Sequence, residues 1–122
     1  MLKLSTKFCM SIFVACLSVS QVWAQPADKF PSKPITFIVG FAVGGGGDIS
    51  TRWIAEFLRE RWKVPVVVEN KPGAGATIAT SQLARAKPDG YTVALATTSP
   101  FTVAPYFQPQ TYDPSKDFTY LF

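Results

Sequence analysis

Three short segments carry the residues that could do chemistry: Gly44-Gly45-Gly46-Gly47-Asp48, Pro72-Gly73-Ala74-Gly75 and Thr97-Thr98-Ser99. None contains a cation, so the chemistry open to them is capture by neutral donors rather than by ion pairs. Glycine lets ligand oxygens approach the backbone closely, and the three hydroxyls can donate or accept. Where such a segment leads into a helix, the first turn presents unpaired N–H groups at the positive end of the dipole. Three of these ends converging would make an anion site. The spacing therefore predicts a small carboxylate-bearing ligand. Asp48 is expected as the N-cap that organises the first loop rather than as a contact, because its charge would repel the anion.

Other chemistries are narrowed by what is missing. The chain has no histidine, which excludes a Ser-His-Asp or Cys-His mechanism and any zinc site built on imidazole. No cluster of carboxylates at ligand spacing supports a metal, and no cofactor is expected. A phosphate-binding P-loop needs glycine-lysine followed by serine or threonine, whereas here the run ends Asp48-Ile49-Ser50. A dinucleotide fingerprint is met by Gly44, Gly46 and Glu69 but has Ile49 at its third glycine position. Tight turning alone is the other use such glycines could have.

The elements that must position these segments alternate. Ile35 to Val39 reads as a buried strand. After the first glycine loop, Ile49, Trp53, Ile54, Phe57, Leu58 and Trp62 recur at helical spacing and are expected in the core, with Arg52, Glu56, Arg59, Glu60 and Lys63 on the solvated face. Arg52 and Glu56 stand at i,i+4 spacing, where a pair contributes about 0.3 kcal/mol. Val66 to Glu69 is a second strand, Thr77 to Ala86 a shorter helix with Ile78 and Leu83 inward, and Tyr91 to Ala96 a third strand. Pro100 suits the first turn of a further helix. Tyr106, Phe107 and Tyr112 could line a cleft or cover an edge, and Phe118 to Phe122 begins a new apolar run. Strand and helix in alternation imply an α/β fold with a parallel sheet, flanking helices and right-handed crossovers. The loops after parallel strands gather on one edge, where open α/β sheets bind ligands, so the three segments are expected to lie together.

The first 24 residues read as an export signal. Lys3 and Lys7 precede an apolar run from Phe8 to Val19, and Val22-Trp23-Ala24 offers small residues at both recognition positions, so cleavage after Ala24 and a periplasmic location are expected. A run of about a dozen apolar residues is short for a membrane span. Phe13-Val14-Ala15-Cys16 loosely resembles a lipoprotein box, the alternative to ordinary cleavage. Both cysteines, Cys9 and Cys16, fall in this leader, so residues 25–122 hold no disulfide. Composition is 48% hydrophobic, 16% charged and 14% aromatic, that of a globular chain, and 122 residues suffice for one small domain. The leader carries Lys3 and Lys7 and no acid, so removing it lowers the net charge from +4 to +2. Scattered charges of that size give no nucleic-acid surface.

Lys33-Pro34-Ile35-Thr36, Phe41 with Gly44 to Asp48 and Arg52, Pro65-Val66-Val67-Val68-Glu69-Asn70-Lys71-Pro72-Gly73-Ala74-Gly75, Lys87-Pro88-Asp89-Gly90-Tyr91-Thr92, and Tyr112-Asp113-Pro114 with Lys116-Asp117-Phe118 together resemble the Bug family. These are the periplasmic solute-binding proteins of tripartite tricarboxylate transporters. The resemblance implies a type II periplasmic-binding-protein fold, in which two α/β lobes close on a small organic anion and deliver it to membrane permease subunits. It also implies a non-enzymatic chain. Carried over, the ligand contacts would be Phe41, Ala42, Gly44, Gly45 and Gly46 with Thr97, Thr98 and Ser99. The Pro72-Gly73-Ala74-Gly75 loop is a further possible contact, and Asp48 and Arg52 are structural.

The sequence departs from the family pattern at Gly40 and Val43, where proline is frequent, at Gly47, where threonine is common, and at Ala76, where a further glycine is frequent. Family members run to roughly 300 residues, typical of a two-domain chain. Residues 25–122 are thus expected to be the N-terminal part of the first lobe, with the second lobe absent. An exported α/β enzyme or a ligand-sensing subunit are the alternatives. The ligand could be a di- or tricarboxylate, an amino acid or an aromatic acid.

Overall fold

The computed structural model describes residues 29–121. The expected leader and cleavage site after Ala24, together with Cys9, Cys16 and Phe122, lie outside the described residues.

Strand β1 (Ile35–Val39) is uncharged, β-branched and aromatic, and it occupies the centre of a three-stranded sheet in the order β2-β1-β3. Both neighbours, β2 (Val66–Asn70) and β3 (Thr92–Ala94), run parallel to it, with Ile35 opposite Val66 and Thr36 opposite Thr92. Parallel neighbours demand crossovers, and helices α1 (Gly46–Trp62) and α2 (Thr77–Ala84) supply them. Pairing on both sides leaves Ile38 and Val39 almost fully buried. One layer of the core joins Ile35, Val66 and Ala55, with Phe37, Leu58, Trp62, Val68, Tyr91 and Val93 packed around them.

Helix α1 packs on the sheet through Leu58 and Trp62 of its expected core residues, but the rest of its buried face is not the one its apolar spacing predicts. Asp48, Thr51 and Ala55 are buried, whereas Trp53 is 78% and Phe57 61% exposed, with Ile49 and Ile54 also exposed. Trp62 alone of the expected aromatic core residues packs against the sheet cluster. The physical reason is approach distance: small Thr51 and Ala55 let the helix backbone come close, and the polar groups on that face are satisfied locally. Thr51 donates its hydroxyl to the Gly47 carbonyl at 2.7 Å. Helix α2 shows the same inversion, burying Thr77, Ala79 and Thr80 while Ile78 is exposed. The expected Arg52–Glu56 pair is not formed. Arg52 bonds Asp48, and Glu56 pairs with Arg59.

Beyond β3 the expected further helix appears as a π-helix over Ser99–Val103, with Pro100 in its first turn, running on into a single α-helical turn, α3 (Ala104–Phe107). Gln108, which precedes Pro109, is extended, as a residue before proline prefers. Residues 118–121 form no strand. Their rings instead close over the π-helix: Phe101 lies 5.2 Å from Phe118 and 5.7 Å from Tyr120, and Tyr112 lies 5.6 Å from Phe118, all edge to face. At the opposite end of the strands, Phe30 packs 5.0 Å from Tyr91, Lys33 Nζ stands 4.2 Å over the Tyr91 ring, and the Ser32 N–H donates to the Tyr91 hydroxyl at 3.0 Å.

Candidate functional site

The three segments meet at the C-terminal edge of the sheet. The Lys71 N–H donates to the Val39 carbonyl at 2.8 Å and the Leu95 N–H to the Ile38 carbonyl at 3.2 Å, so all three loops leave the strands side by side. Gly75 faces Ser99: a Cβ on Gly75 would stand 3.1 Å from the Ser99 hydroxyl oxygen. Gly40 faces Ala76 so closely that a Cβ on Gly40 would overlap the Ala76 side chain. The second loop makes this approach through an unusual backbone, with Gly73, Ala74, Gly75 and Ala76 all at positive φ.

The first loop is held by Asp48, which is not the N-cap that the sequence predicts. The helix begins at Gly46 with Gly45 as N-cap and no side-chain cap. Asp48 lies in the first turn and reaches back, accepting the Gly44 N–H at 2.8 Å, the Arg52 Nε–H at 2.9 Å and the Asn70 Nδ2–H at 2.8 Å. Four glycines in sequence let the chain tighten before any side chain intervenes, which moves the helix start ahead of the acid. Gly44 in particular adopts φ +81°. The Arg52 guanidinium and these N–H donors hold the Asp48 carboxyl down at about 2, well below its usual range. Its charge is thereby spent inside the loop.

The glycine N–H groups divide into two kinds. Those of Gly44 and Gly45 are engaged within the loop, by Asp48 and by the Ala42 carbonyl at 3.1 Å. Those of Gly46 and Gly47, in the first turn of α1, make no hydrogen bond among the described residues. A Cβ on Gly46 would meet nothing within 4 Å, and the residue is exposed. Phe41 is partly exposed and its ring lies against Gly47, where any Cβ would overlap it. Glycine at 47 therefore makes room for that ring. Across the edge, the hydroxyls of Thr97, Thr98 and Ser99 have no hydrogen-bond partner among the described residues, while the Thr98 carbonyl accepts from Thr102 at 2.9 Å. This third loop leads straight into the helical segment that begins at Ser99, so its hydroxyls stand at the helix start that the sequence predicts. Pro72 and Gly73 lie at the exposed rim, and Lys71 beside them pairs with Glu69 at 3.8 Å.

Two residues outside the expected set shape this edge. Asn70, the last residue of β2, bonds Phe41, Asp48 and Arg52. Its only signal in the sequence is a polar amide directly after an apolar strand and before a proline-glycine loop. Tyr112 is buried and donates its hydroxyl to the Pro100 carbonyl at 2.8 Å, just behind the hydroxyl loop. Burial pushes its phenol up. No group of three or more metal-ligating side chains occurs among the described residues, and no helix among them is long and apolar enough to cross a membrane.

Comparison with known proteins gives consistent matches. The model of the tripartite tricarboxylate transporter family receptor matches residues 50–122. A UPF0065 protein of Bordetella pertussis is 48% identical over 80 residues, covering 66% of this chain and 25% of its own. Among solved structures, the periplasmic binding protein BugD is 49% identical with a TM-score of 0.51, over 53% of this chain and 22% of its own. MatC from Rhodopseudomonas palustris, with bound malate, is 36% identical with a TM-score of 0.67, over 74% and 31%. The chain spans a quarter to a third of the length of the curated relatives it matches.

Proposed function

Because this chain belongs to the tripartite tricarboxylate transporter receptor family, the Bug proteins, we propose that it forms one wall of a carboxylate-binding site in a periplasmic solute receptor. What supports the reading is that, among the described residues, the Gly46 and Gly47 N–H groups and the Thr97, Thr98 and Ser99 hydroxyls make no hydrogen bond, and that both sets lie on loops leaving the C-terminal edge of one parallel sheet. In this reading Phe41 and Ala42 flank the bound anion, Gly44 and Gly45 fix the shape of the first loop, and Pro72 to Gly75 border the site. An anion there is held by oriented neutral donors and by the positive end of α1, whose 17 residues give it a substantial dipole. Asp48 does not oppose the anion, because Arg52 and the N–H donors around it already compensate it.

In this reading residues 25–122 are the N-terminal part of the first of two lobes, exported by the leader and cleaved after Ala24. The second lobe supplies the opposite wall and most of the selectivity. Closure of the two lobes is what the membrane permease subunits sense. The chain carries out no chemistry on its ligand, needs no cofactor and binds no nucleic acid. The malate bound to MatC and the adipate bound to a second Rhodopseudomonas palustris neighbour support a small organic acid as the ligand. The test is calorimetric titration of the purified full-length protein with malate, adipate and citrate, against a neutral sugar of similar size. Saturable binding of an acid and not of the sugar is expected. Sugar binding, or none with any acid, would overturn the reading.

A further inference from the structure

We propose that Asn70 is the positioning residue of the β1–α1 loop, its amide tying the Phe41 carbonyl and the Asp48 carboxylate to the end of β2 and so fixing the loop that presents the Gly46 and Gly47 N–H groups. This rests on the reading of that loop as part of the ligand wall. Both protons of the amide are used: Nδ2 donates to the Phe41 carbonyl at 3.0 Å and to Asp48 Oδ1 at 2.8 Å. The amide oxygen accepts from Arg52 Nη2 at 3.0 Å. The orientation is determined, since turning the amide over would set its oxygen against two acceptors and its NH2 against a guanidinium.

The loop has few other ties. Gly45 bonds back to Ala42 within the loop itself, and Gly44 bonds Asp48. The Phe41 carbonyl reaches the second strand only through Asn70 among the described residues. Asn70 is half-buried at the sheet edge and takes no part in the Ile35, Ala55 and Val66 core cluster. Its removal therefore frees the Phe41 to Gly44 turn while leaving the fold, since the first two loops stay joined by the Lys71–Val39 hydrogen bond and the Gly40–Ala76 contact. Aspartate has nearly the same shape but only accepts, and it would stand against Asp48. Shape alone cannot replace the two donated bonds.

The test compares wild type, Asn70→Ala and Asn70→Asp in the full-length protein. Amide hydrogen exchange is read without ligand, and malate and adipate affinities are read by calorimetry. In both variants the Gly44 and Gly45 amides, the hydrogen-bonded ones of this loop, are expected to exchange at least tenfold faster, with β1 and the middle of α1 within twofold of wild type. Affinity for whichever acid wild type binds falls at least tenfold. Unchanged loop exchange, an Asn70→Asp variant that behaves as wild type, or loss of protection throughout β1 would each overturn the proposal. If wild type binds neither acid, the carboxylate reading falls, while the exchange data still decide the role of Asn70.

Discussion

Gly40 and Ala76 claim the same space from two adjacent loops, so that the side chain of one is possible only because the other has none. Ala76 is buried and sits at φ +73°, a left-handed conformation that costs a non-glycine residue about 1–2 kcal/mol. Against the Bug pattern these are two separate departures, a glycine where proline is frequent and an alanine where glycine is frequent. In the structure they are one: bulk removed at 40 is bulk admitted at 76.

Gly40→Ala alone should destabilise the full-length protein by about 1–3 kcal/mol through overpacking. Ala76→Gly should be neutral or stabilising by about 1 kcal/mol, since it relieves the left-handed strain. Combined with Ala76→Gly, Gly40→Ala should cost less than half as much. Denaturant unfolding of the four proteins checks this, and additive effects would refute the coupling.

Gly46→Val should separate binding from stability. A side chain there meets nothing within 4 Å, and replacing glycine inside a helix removes an entropic cost of roughly 0.5–1 kcal/mol. The melting temperature should hold or rise while acid affinity drops at least tenfold, because the valine stands beside the Gly46 and Gly47 N–H groups. Gly45→Val, whose Cβ would stand 3.1 Å from the Ala42 carbonyl oxygen, should weaken binding by deforming the loop and should lower the melting temperature slightly. Undiminished affinity in both variants would remove this loop from the ligand site.

The depressed Asp48 carboxyl makes stability fall in acid. The group titrates at about 2 in the fold against 3.8 ordinarily, so the unfolded chain takes up its proton first as pH drops. Its contribution is complete above pH 4 and disappears as pH falls through 2. Asp113, likewise held at about 2 by Ser115 and Lys116, acts in the same window. Melting curves of wild type and Asp48→Asn should therefore differ most above pH 4 and converge towards pH 2. A constant difference across that range would show that Asp48 acts through shape and not charge.

Tyr112→Phe deletes the hydrogen bond to the Pro100 carbonyl and should cost about 1 kcal/mol. The ring still packs on Phe118, so the loss should be local. Faster amide exchange at Phe101 and Thr102 with an intact sheet is expected, and unaltered exchange there would show that the hydroxyl does not hold the third loop.

The sheet was legible in the sequence because its signal is redundant: Ile35 to Val39 has no residue that another structure would favour, and the strand appears with those bounds. Helix α1 was legible as a helix but not in its orientation. Apolar residues lie on two of its faces, and periodicity cannot tell that Asp48 and Thr51 will be buried once Arg52, Asn70 and Gly47 satisfy them. The meeting of the three loops follows from parallel topology and was expected. The division of labour among the glycine N–H groups was not, because it depends on where the helix starts, and four consecutive glycines leave that undetermined. Asn70 was invisible as a functional residue because its importance lies in its three partners, which come from two other elements.

The order of the sheet also governs when the fold can form. The central strand is made first, yet its partners on either side, Val66–Asn70 and Thr92–Ala94, arrive later, and the clasp between Ser32 and Tyr91 joins residues 59 apart in the chain. Pairings so distant in sequence must close long loops before they gain anything, which slows folding. A nascent chain of this design cannot complete its sheet until the third strand has emerged. That delay is the condition a secretion channel needs if it threads polypeptides in the unfolded state.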